Sequence, residues 1–376
     1  MKTVGFLLIV AAAAAANPIY TVADLGGLDG SATGYAINSS GVVAGWGQNP
    51  SGGQQAFVST ANGLQALSSG SYESYAYGIN DSGTVVGTTY DANGQAHGTI
   101  WSASGTADLG AGTYAMAINS SGEVAGGDGN AFVVVNGQLQ NLATPPGISW
   151  SAAYGLNDTG TVVGDGQLSN GAFRAIVWNP NGSAIVLGTF GGASSQATGV
   201  NSSGETVGFA SLASGYQHAF AEVNGTMLDL GTLGGGSSYA YGVNDSGEIV
   251  GYSWLADGGE SAFLYYDGAM LDLNSLIPSN SGWDLLQAYG INASGQITGV
   301  GTYDGQFSAF VLTDPPAGPV GIAAVPEPSE LALVGATLAM IAILRARRTL
   351  GYPRGSVAEL DGRPVIGSRG EPGGRD

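Results

Sequence analysis

Histidine and cysteine chemistry is nearly closed to this chain. It has two histidines, His97 and His218, and no cysteine. That removes disulfides, thiol nucleophiles and thiolate metal sites, and leaves too little imidazole for a multi-histidine centre. The two histidines fall at equivalent places at the start of a repeated strand. A polar strand-end residue of the repeat accounts for that position; ligand contact is the competing assignment. What remains is carboxylate and aromatic chemistry. Segments of variable length between otherwise regular elements hold Trp46, Tyr90, Asp91, Asp128, Asp165, Tyr216, Tyr252, Trp254, Asp257, Tyr303 and Asp304. Aromatic faces beside carboxylates suit stacking on sugar rings and recognition of hydroxyls, or calcium; a solvated loop face is the alternative. Trp46, Tyr90, Asp91, Tyr216, His218, Tyr252, Trp254, Asp257, Tyr303 and Asp304 make up the candidate ligand rim. Asp91-Ala92-Asn93-Gly94 is a partial match to a calcium loop and is weak alone, so no cofactor is expected, with calcium as the open alternative. Two carboxylates on one rim could serve as acid and base in glycan cleavage, but the sequence does not pair them.

The elements that would position these residues are repeats. One motif, Tyr77-Gly78-Ile79-Asn80-Asp81-Ser82-Gly83-Thr84-Val85-Val86-Gly87 in one copy, recurs seven times, anchored at Asn38, Asn80, Asn119, Asn157, Asn201, Asn244 and Asn292 with spacings of 42, 39, 38, 44, 43 and 48. A period near forty with four short strands per unit predicts an all-β, seven-bladed β-propeller over residues 17–314. Within a unit, strand a is Ala-x-Gly-Ile-Asn, strand b Thr-Val-Val-Gly, strand c an Ala-Phe pair such as Ala219-Phe220, and strand d a Leu-Gly pattern such as Leu228-Asp229-Leu230-Gly231. The a–b turn is Asn-x-Ser/Thr-Gly in every copy, with Asn opening the turn and Gly taking the left-handed position. The same triplets are formal glycosylation acceptors, but turn chemistry accounts for them. The glycine-rich Leu233-Gly234-Gly235-Gly236-Ser237 lacks the following helix or lysine of a phosphate cradle and reads as a linker between blades.

Strand a supplies an axis. Four residues before each asparagine stand Gly34 or alanine, and two before stand alanine or glycine. By strand alternation these positions share one small face opposite a large one rich in tyrosine, so strand a is expected innermost, where blades crowd. The body opens with a strand d, Tyr20 to Gly26, that has no repeat before it, and stops with a strand c, Ala309 to Leu312, that has no strand d after it. The first completes the last blade and closes the ring. Strand parity puts the b–c and d–a connections on one rim and the invariant turns on the other, which leaves the first rim as the working surface.

Charge is lopsided. The formal net charge is −19, and between Asn17 and Val325 Arg174 is the one basic residue other than histidine. A body this acidic repels nucleic acid and anionic lipid. Residues 1–16 read as a signal peptide: Lys2, an apolar stretch from Val4 to Ala16, and small residues at the expected cleavage site. After a linker at 315–325 comes Pro326-Glu327-Pro328, an apolar stretch from Leu331 to Leu344, read as a transmembrane helix once flanking residues are included, and the basic cluster Arg345, Arg347 and Arg348, which would stay cytoplasmic.

This order resembles the PEP-CTERM sorting signal of Gram-negative bacteria, over 326–348. The resemblance implies processing by a membrane-embedded exosortase near Pro326-Glu327-Pro328, transient anchoring in the inner membrane, and association with exopolysaccharide and biofilm. Residues 349–376 extend past the usual end of such a signal; they show no apolar periodicity and read as a disordered tail. The repeats resemble the HAF repeat of secreted bacterial proteins, on His218-Ala219-Phe220 and Leu228-Asp229-Leu230-Gly231-Thr232-Leu233-Gly234-Gly235. That family brings no catalytic residues to carry over. The expectation is therefore an exported, non-enzymatic surface or matrix propeller that binds polysaccharide or a protein partner. The alternatives are a glycan hydrolase or lyase using rim carboxylates, and a spacer without a specific ligand.

Overall fold

In the computed structural model, which describes residues 20–67 and 72–313, the chain forms seven four-stranded antiparallel sheets. The first strand, β1 (Thr21–Gly26), stands apart from the repeats. Blade 1 is β2 (Ala32–Ile37), β3 (Val43–Gln48), β4 (Gln54–Thr60) and β5 (Gly63–Ala66); blade 2 is β6 (Ser74–Ile79), β7 (Val85–Tyr90), β8 (Ala96–Ser102) and β9 (Gly105–Ala111). Blade 3 is β10 (Tyr114–Ile118), β11 (Val124–Gly127), β12 (Ala131–Val135) and β13 (Gln138–Asn141); blade 4 is β14 (Ile148–Leu156), β15 (Val162–Leu168), β16 (Phe173–Trp178) and β17 (Ala184–Val186). Blade 5 is β18 (Gly191–Val200), β19 (Thr206–Leu212), β20 (Gln217–Val223) and β21 (Thr226–Asp229); blade 6 is β22 (Gly234–Val243), β23 (Ile249–Leu255), β24 (Glu260–Tyr266) and β25 (Ala269–Asp272). Blade 7 is β26 (Trp283–Ile291), β27 (Ile297–Tyr303), β28 (Gln306–Thr313) and then β1, paired from Thr21↔Thr313 to Gly26↔Ala309. The displaced strand d thus closes the ring as expected.

The propeller belongs to the unit Met1–Ala317; the second unit, Gly318–Asp376, lies outside the described residues, as do the signal peptide at 1–16, the linker at 315–325 and all of the sorting signal and tail. Among the described residues no helix is long and apolar enough to cross a membrane.

Strand a is innermost, but the expectation about its faces needs correcting. All seven blades share an a–b register shift at the third residue before the asparagine: Tyr35, Tyr77, Met116, Tyr154, Thr198, Tyr241 or Tyr289. A bulge breaks the two-residue alternation, so the small residues on either side of it do not share a face. A side chain at Gly34 would collide with Thr298 of the preceding blade, and one at Gly78 would press on Ala117 and Ile118 of the following blade. Strand a is pinched from both sides, one small residue serving each neighbour. The bulge residues themselves turn inward, and all seven line one central cavity of about 470 Å³.

The same bulge explains the glycine in every strand b. A Cβ on Gly45, Gly87, Gly126, Gly164, Gly208, Gly251 or Gly299 would sit 1.9–2.0 Å from a strand a carbonyl oxygen. Backbone cannot yield as a flexible side chain can. Gly208→Ala is expected to cost at least about 3 kcal/mol through this overpacking, read as a lower midpoint in denaturant; a midpoint equal to wild type would show that strand a relaxes freely. Outside the bulges, Phe57, Phe132, Phe220, Phe263 and Phe310 of strand c are fully buried. They fill the space between sheets with alanine and aliphatic side chains of their own blade and of the blade before it, which is why the Ala-Phe pair recurs.

The turn asparagines bind blade to blade. Each side-chain amide donates to the backbone carbonyl of the next blade's asparagine, at 2.8–3.3 Å, from Asn38→Asn80 round to Asn292→Asn38. The amide oxygen meanwhile accepts from its own turn; Asn201 Oδ1 takes Ser203 N at 3.1 Å, Ser203 Oγ at 2.8 Å and Glu205 N at 3.0 Å. Seven buried amides, 3–6 % exposed, form a closed ring of hydrogen bonds.

Candidate functional site

On the rim opposite the asparagines, aromatic rings make an unbroken path. Trp46 meets Tyr75 edge-on at 5.7 Å, and Tyr75 meets both Tyr90 and Tyr77. Tyr77 leads to Tyr35 at 5.4 Å, Tyr35 stacks on Tyr289 at 4.7 Å, and Tyr289 meets Tyr241 at 5.1 Å. Tyr241 passes to Tyr252, which stacks on Tyr239 at 4.8 Å; Tyr239 ends the path edge-on to Phe209 at 5.0 Å. The path crosses blades 1, 2, 7, 6 and 5 around the central cavity. Burial raises the hydroxyl pKa of Tyr77, Tyr241 and Tyr289 well above the ordinary value and pushes Tyr252 up to about 12. These phenols stay neutral at physiological pH and act as hydrogen-bonding groups on apolar rings.

Three of the rim residues expected from sequence, Trp46, Tyr90 and Tyr252, lie on this path. The others do not join it. Tyr303 stacks on Trp283 at 5.2 Å in blade 7. Tyr216 and Trp254 are exposed, Tyr216 beside Gly236 and Trp254 beside Gly235. The acids shape turns: Asp91 accepts from the Asn93 and Gln95 N–H groups, which hold its carboxyl below the ordinary value, and Asp257 accepts from Gly259 N at 3.0 Å. Asp304, at φ 49°, and Gly305 form a two-residue hairpin turn.

His218 sits between the outer strands rather than at the axis. Its Nδ1 meets the Asp229 carboxylate at 2.8 Å, and the same carboxylate accepts from Gly231 N. His97 repeats the arrangement with Asp108 and Gly110 N. In blades 6 and 7 a serine hydroxyl takes the imidazole's place, Ser261 on Asp272 and Ser308 on Asp24. The pair is a clasp between strands c and d, which explains why the His-Ala-Phe and Leu-Asp-Leu-Gly segments occur together. His218→Ala is expected to cost no more than about 1 kcal/mol, as for other exposed pairs, and to leave ligand binding intact; a thermal melt checks the first and a titration the second.

In the sequence Asp165 is one loop acid among several. The structure puts it on β15, 3 % exposed, in the wall of a pocket of about 360 Å³ between blades 4 and 5. Trp150, Tyr154, Phe173 and Phe209 supply the aromatic surface, with Trp150 edge-on to Phe173 at 6.1 Å. Gln196 Nε2 donates to Asp165 Oδ2 at 2.7 Å, while Oδ1 has no hydrogen-bond partner. Burial pushes the carboxyl up to about 6, against the help of the Gln196 amide and the Tyr154 hydroxyl. Ser194 and Ser195 also line the pocket, but their hydroxyls accept from the Phe173 and Ala175 N–H groups and hold the blades together. The pocket adjoins the central cavity through Tyr154 and Gln196, and a second aromatic pocket with Tyr77, Tyr114 and Met116 through Trp150 and Tyr154. Among the described residues no group of three or more carboxylates or imidazoles is placed to hold a metal ion.

Neither a family model nor a curated relative matches the sequence. Among solved structures, a gluconolactonase of Xanthomonas campestris is similar, at 11 % identity and a TM-score of 0.41, over 81 % of this chain and 93 % of that one. A lectin of Burkholderia pseudomallei matches at 11 % identity and a TM-score of 0.40, over 81 % and 98 %. A lectin of Aleuria aurantia, in complex with Fucalpha1-6GlcNAc, matches at 12 % identity and a TM-score of 0.34, over 66 % and 97 %.

Proposed function

We propose that this chain is an exported, non-catalytic propeller that holds polysaccharide against its b–c/d–a rim. The observation that carries this reading is the continuous aromatic path from Trp46 to Phe209, opening beside pockets lined by Gln196, Gln217 and Asp165. Ring faces stack on the apolar faces of sugars, and amide and carboxylate groups take their hydroxyls. A two-carboxylate hydrolase is less well served, because Asp165 is the one carboxylate among the described residues lining the central cavity and the two aromatic pockets. The sorting-signal resemblance at Pro326-Glu327-Pro328 and Arg345, Arg347 and Arg348 supports placement at the cell surface by an exosortase-like enzyme, in company with exopolysaccharide.

Titrating the exported protein with the producing organism's own exopolysaccharide, with and without calcium, is expected to give saturable binding and a change in tryptophan fluorescence. Absence of binding in both conditions would remove the polysaccharide reading. Mass spectrometry of the same preparation tests the sorting reading: termini near Asn17 and near Pro328 are expected, and a mature chain that keeps Arg345 to Arg348 would overturn it.

A further inference from the structure

Among the described residues Asp165 has no cationic partner. It is a carboxylate buried between two blades, and Arg174, the one basic residue of the body besides the histidines, binds the carbonyls of Phe173 and Ala193 instead. A buried charge without an ionic partner is strongly disfavoured, and hydrogen bonding from the Gln196 amide and the Tyr154 hydroxyl offsets only part of that. Three rings from three strands of two blades, Trp150 and Phe173 of blade 4 and Phe209 of blade 5, share the pocket with it, together with Tyr154. An acid under aromatic walls is the complement of a positively charged group with an apolar skirt: the rings attract it through their π faces, and the carboxylate supplies the countercharge.

We propose that the pocket between blades 4 and 5 binds an organic ammonium group, through Asp165 and the faces of Trp150, Tyr154, Phe173 and Phe209. Calcium is a poor occupant, since it wants six to eight oxygen ligands and the lining offers one carboxylate, with the Ser194 and Ser195 hydroxyls already taken by backbone N–H groups. A neutral hydroxyl would satisfy Oδ1 but leave the charge uncompensated. The net charge of −19 favours cation entry over anion entry. Combined with the polysaccharide reading, on which this further step rests for the ligand's identity, the ammonium belongs to an amino sugar whose nitrogen is not acylated.

The test is calorimetric titration of the exported protein at physiological salt with three probes of matched length, a glucosamine oligomer, its N-acetylated counterpart and a glucose oligomer, and with choline as a sugar-free ammonium. The glucosamine oligomer and choline are expected to bind, the oligomer at least tenfold more tightly than either neutral oligomer. Asp165→Asn should weaken both by tenfold or more. Asp267→Asn, which removes the same single charge from a turn on the opposite rim, should change neither, separating the site from general attraction to an acidic surface. Equal binding of all three oligomers with no effect of Asp165→Asn overturns the ammonium site and leaves the polysaccharide reading standing. Choline binding that depends on Asp165, with no oligomer bound, upholds the site and removes the amino-sugar assignment. No binding of any probe overturns the site.

Discussion

Replacing Asn201 with aspartate is expected to lower the melting temperature by roughly 6–20 °C, at about 2–4 °C per kcal/mol for a chain of this size. The change is isosteric, and the oxygen that accepts from Ser203 and Glu205 is kept. What is lost is the Nδ2 donor, which reaches both the Asn244 carbonyl at 3.1 Å and Glu205 Oε2 at 3.0 Å. In its place a carboxylate oxygen would face a carbonyl and a second carboxylate, in a position 4 % exposed. Breaking a buried polar network by putting an unpaired charge in it costs about 3–5 kcal/mol. Asn201→Ala, which orphans the same groups without adding charge, should fall between this variant and wild type. Changing the adjacent exposed Ser202 to alanine, which leaves its backbone N–H on Asp245, should be silent. Differential scanning calorimetry decides the matter: a melt within about 2 °C of wild type for Asn201→Asp would show that strand pairing alone closes the ring, since a lost buried network should exceed that.

Asp165→Asn should do the opposite and stabilise the protein at neutral pH. The folded carboxyl titrates at about 6, against 3.8 for the free group, because burial disfavours its charge. Between those values the folded state holds a proton that the unfolded chain has already lost, so stability falls as pH rises through the window. Each tenfold difference in proton affinity between folded and unfolded chain is worth about 1.4 kcal/mol, so the gap between variant and wild type should widen by about 2–3 kcal/mol from pH 4 to pH 7 in urea titrations. A gap that stays constant across that range would mean that the carboxylate is already satisfied when ionised. A residue whose removal stabilises the fold but abolishes a ligand is one held at a cost for function. The two measurements on this one variant, stability and ammonium binding, therefore reinforce or undermine each other.

The architecture was legible because its signals are local. Asn-x-Ser/Thr-Gly turns, Ala-Phe pairs and a stray strand d at each end's complement give blade number, strand number and closure without any long-range information. The bulge was not legible. Strand alternation, applied to Ala-x-Gly-Ile-Asn, puts the small residues on one face and sends tyrosine between the blades; an extra residue reverses that, and nothing in the type of Tyr35 or Tyr289 announces it. The glycine of strand b was the available clue, since all seven blades keep it opposite the same point. Asp165 was hidden differently. Aligned by that glycine, strand b continues with Trp46, Thr88, Gly127, Asp165, Phe209, Tyr252 and Val300, a single acid among uncharged residues. Its partner Gln196 comes from the next blade, a contact that only the folded ring reveals.

The asparagine ring also bears on how such a chain is inherited. Each asparagine serves in two links, its amide reaching the carbonyl of the next asparagine while its own carbonyl accepts from the one before. Any repeat can therefore sit beside any other, and exchange of whole repeats between positions leaves the ring's connectivity intact. Lineages are free to shuffle or diverge single blades while the closure persists. A one-blade novelty such as Asp165 is the kind of change that this permits.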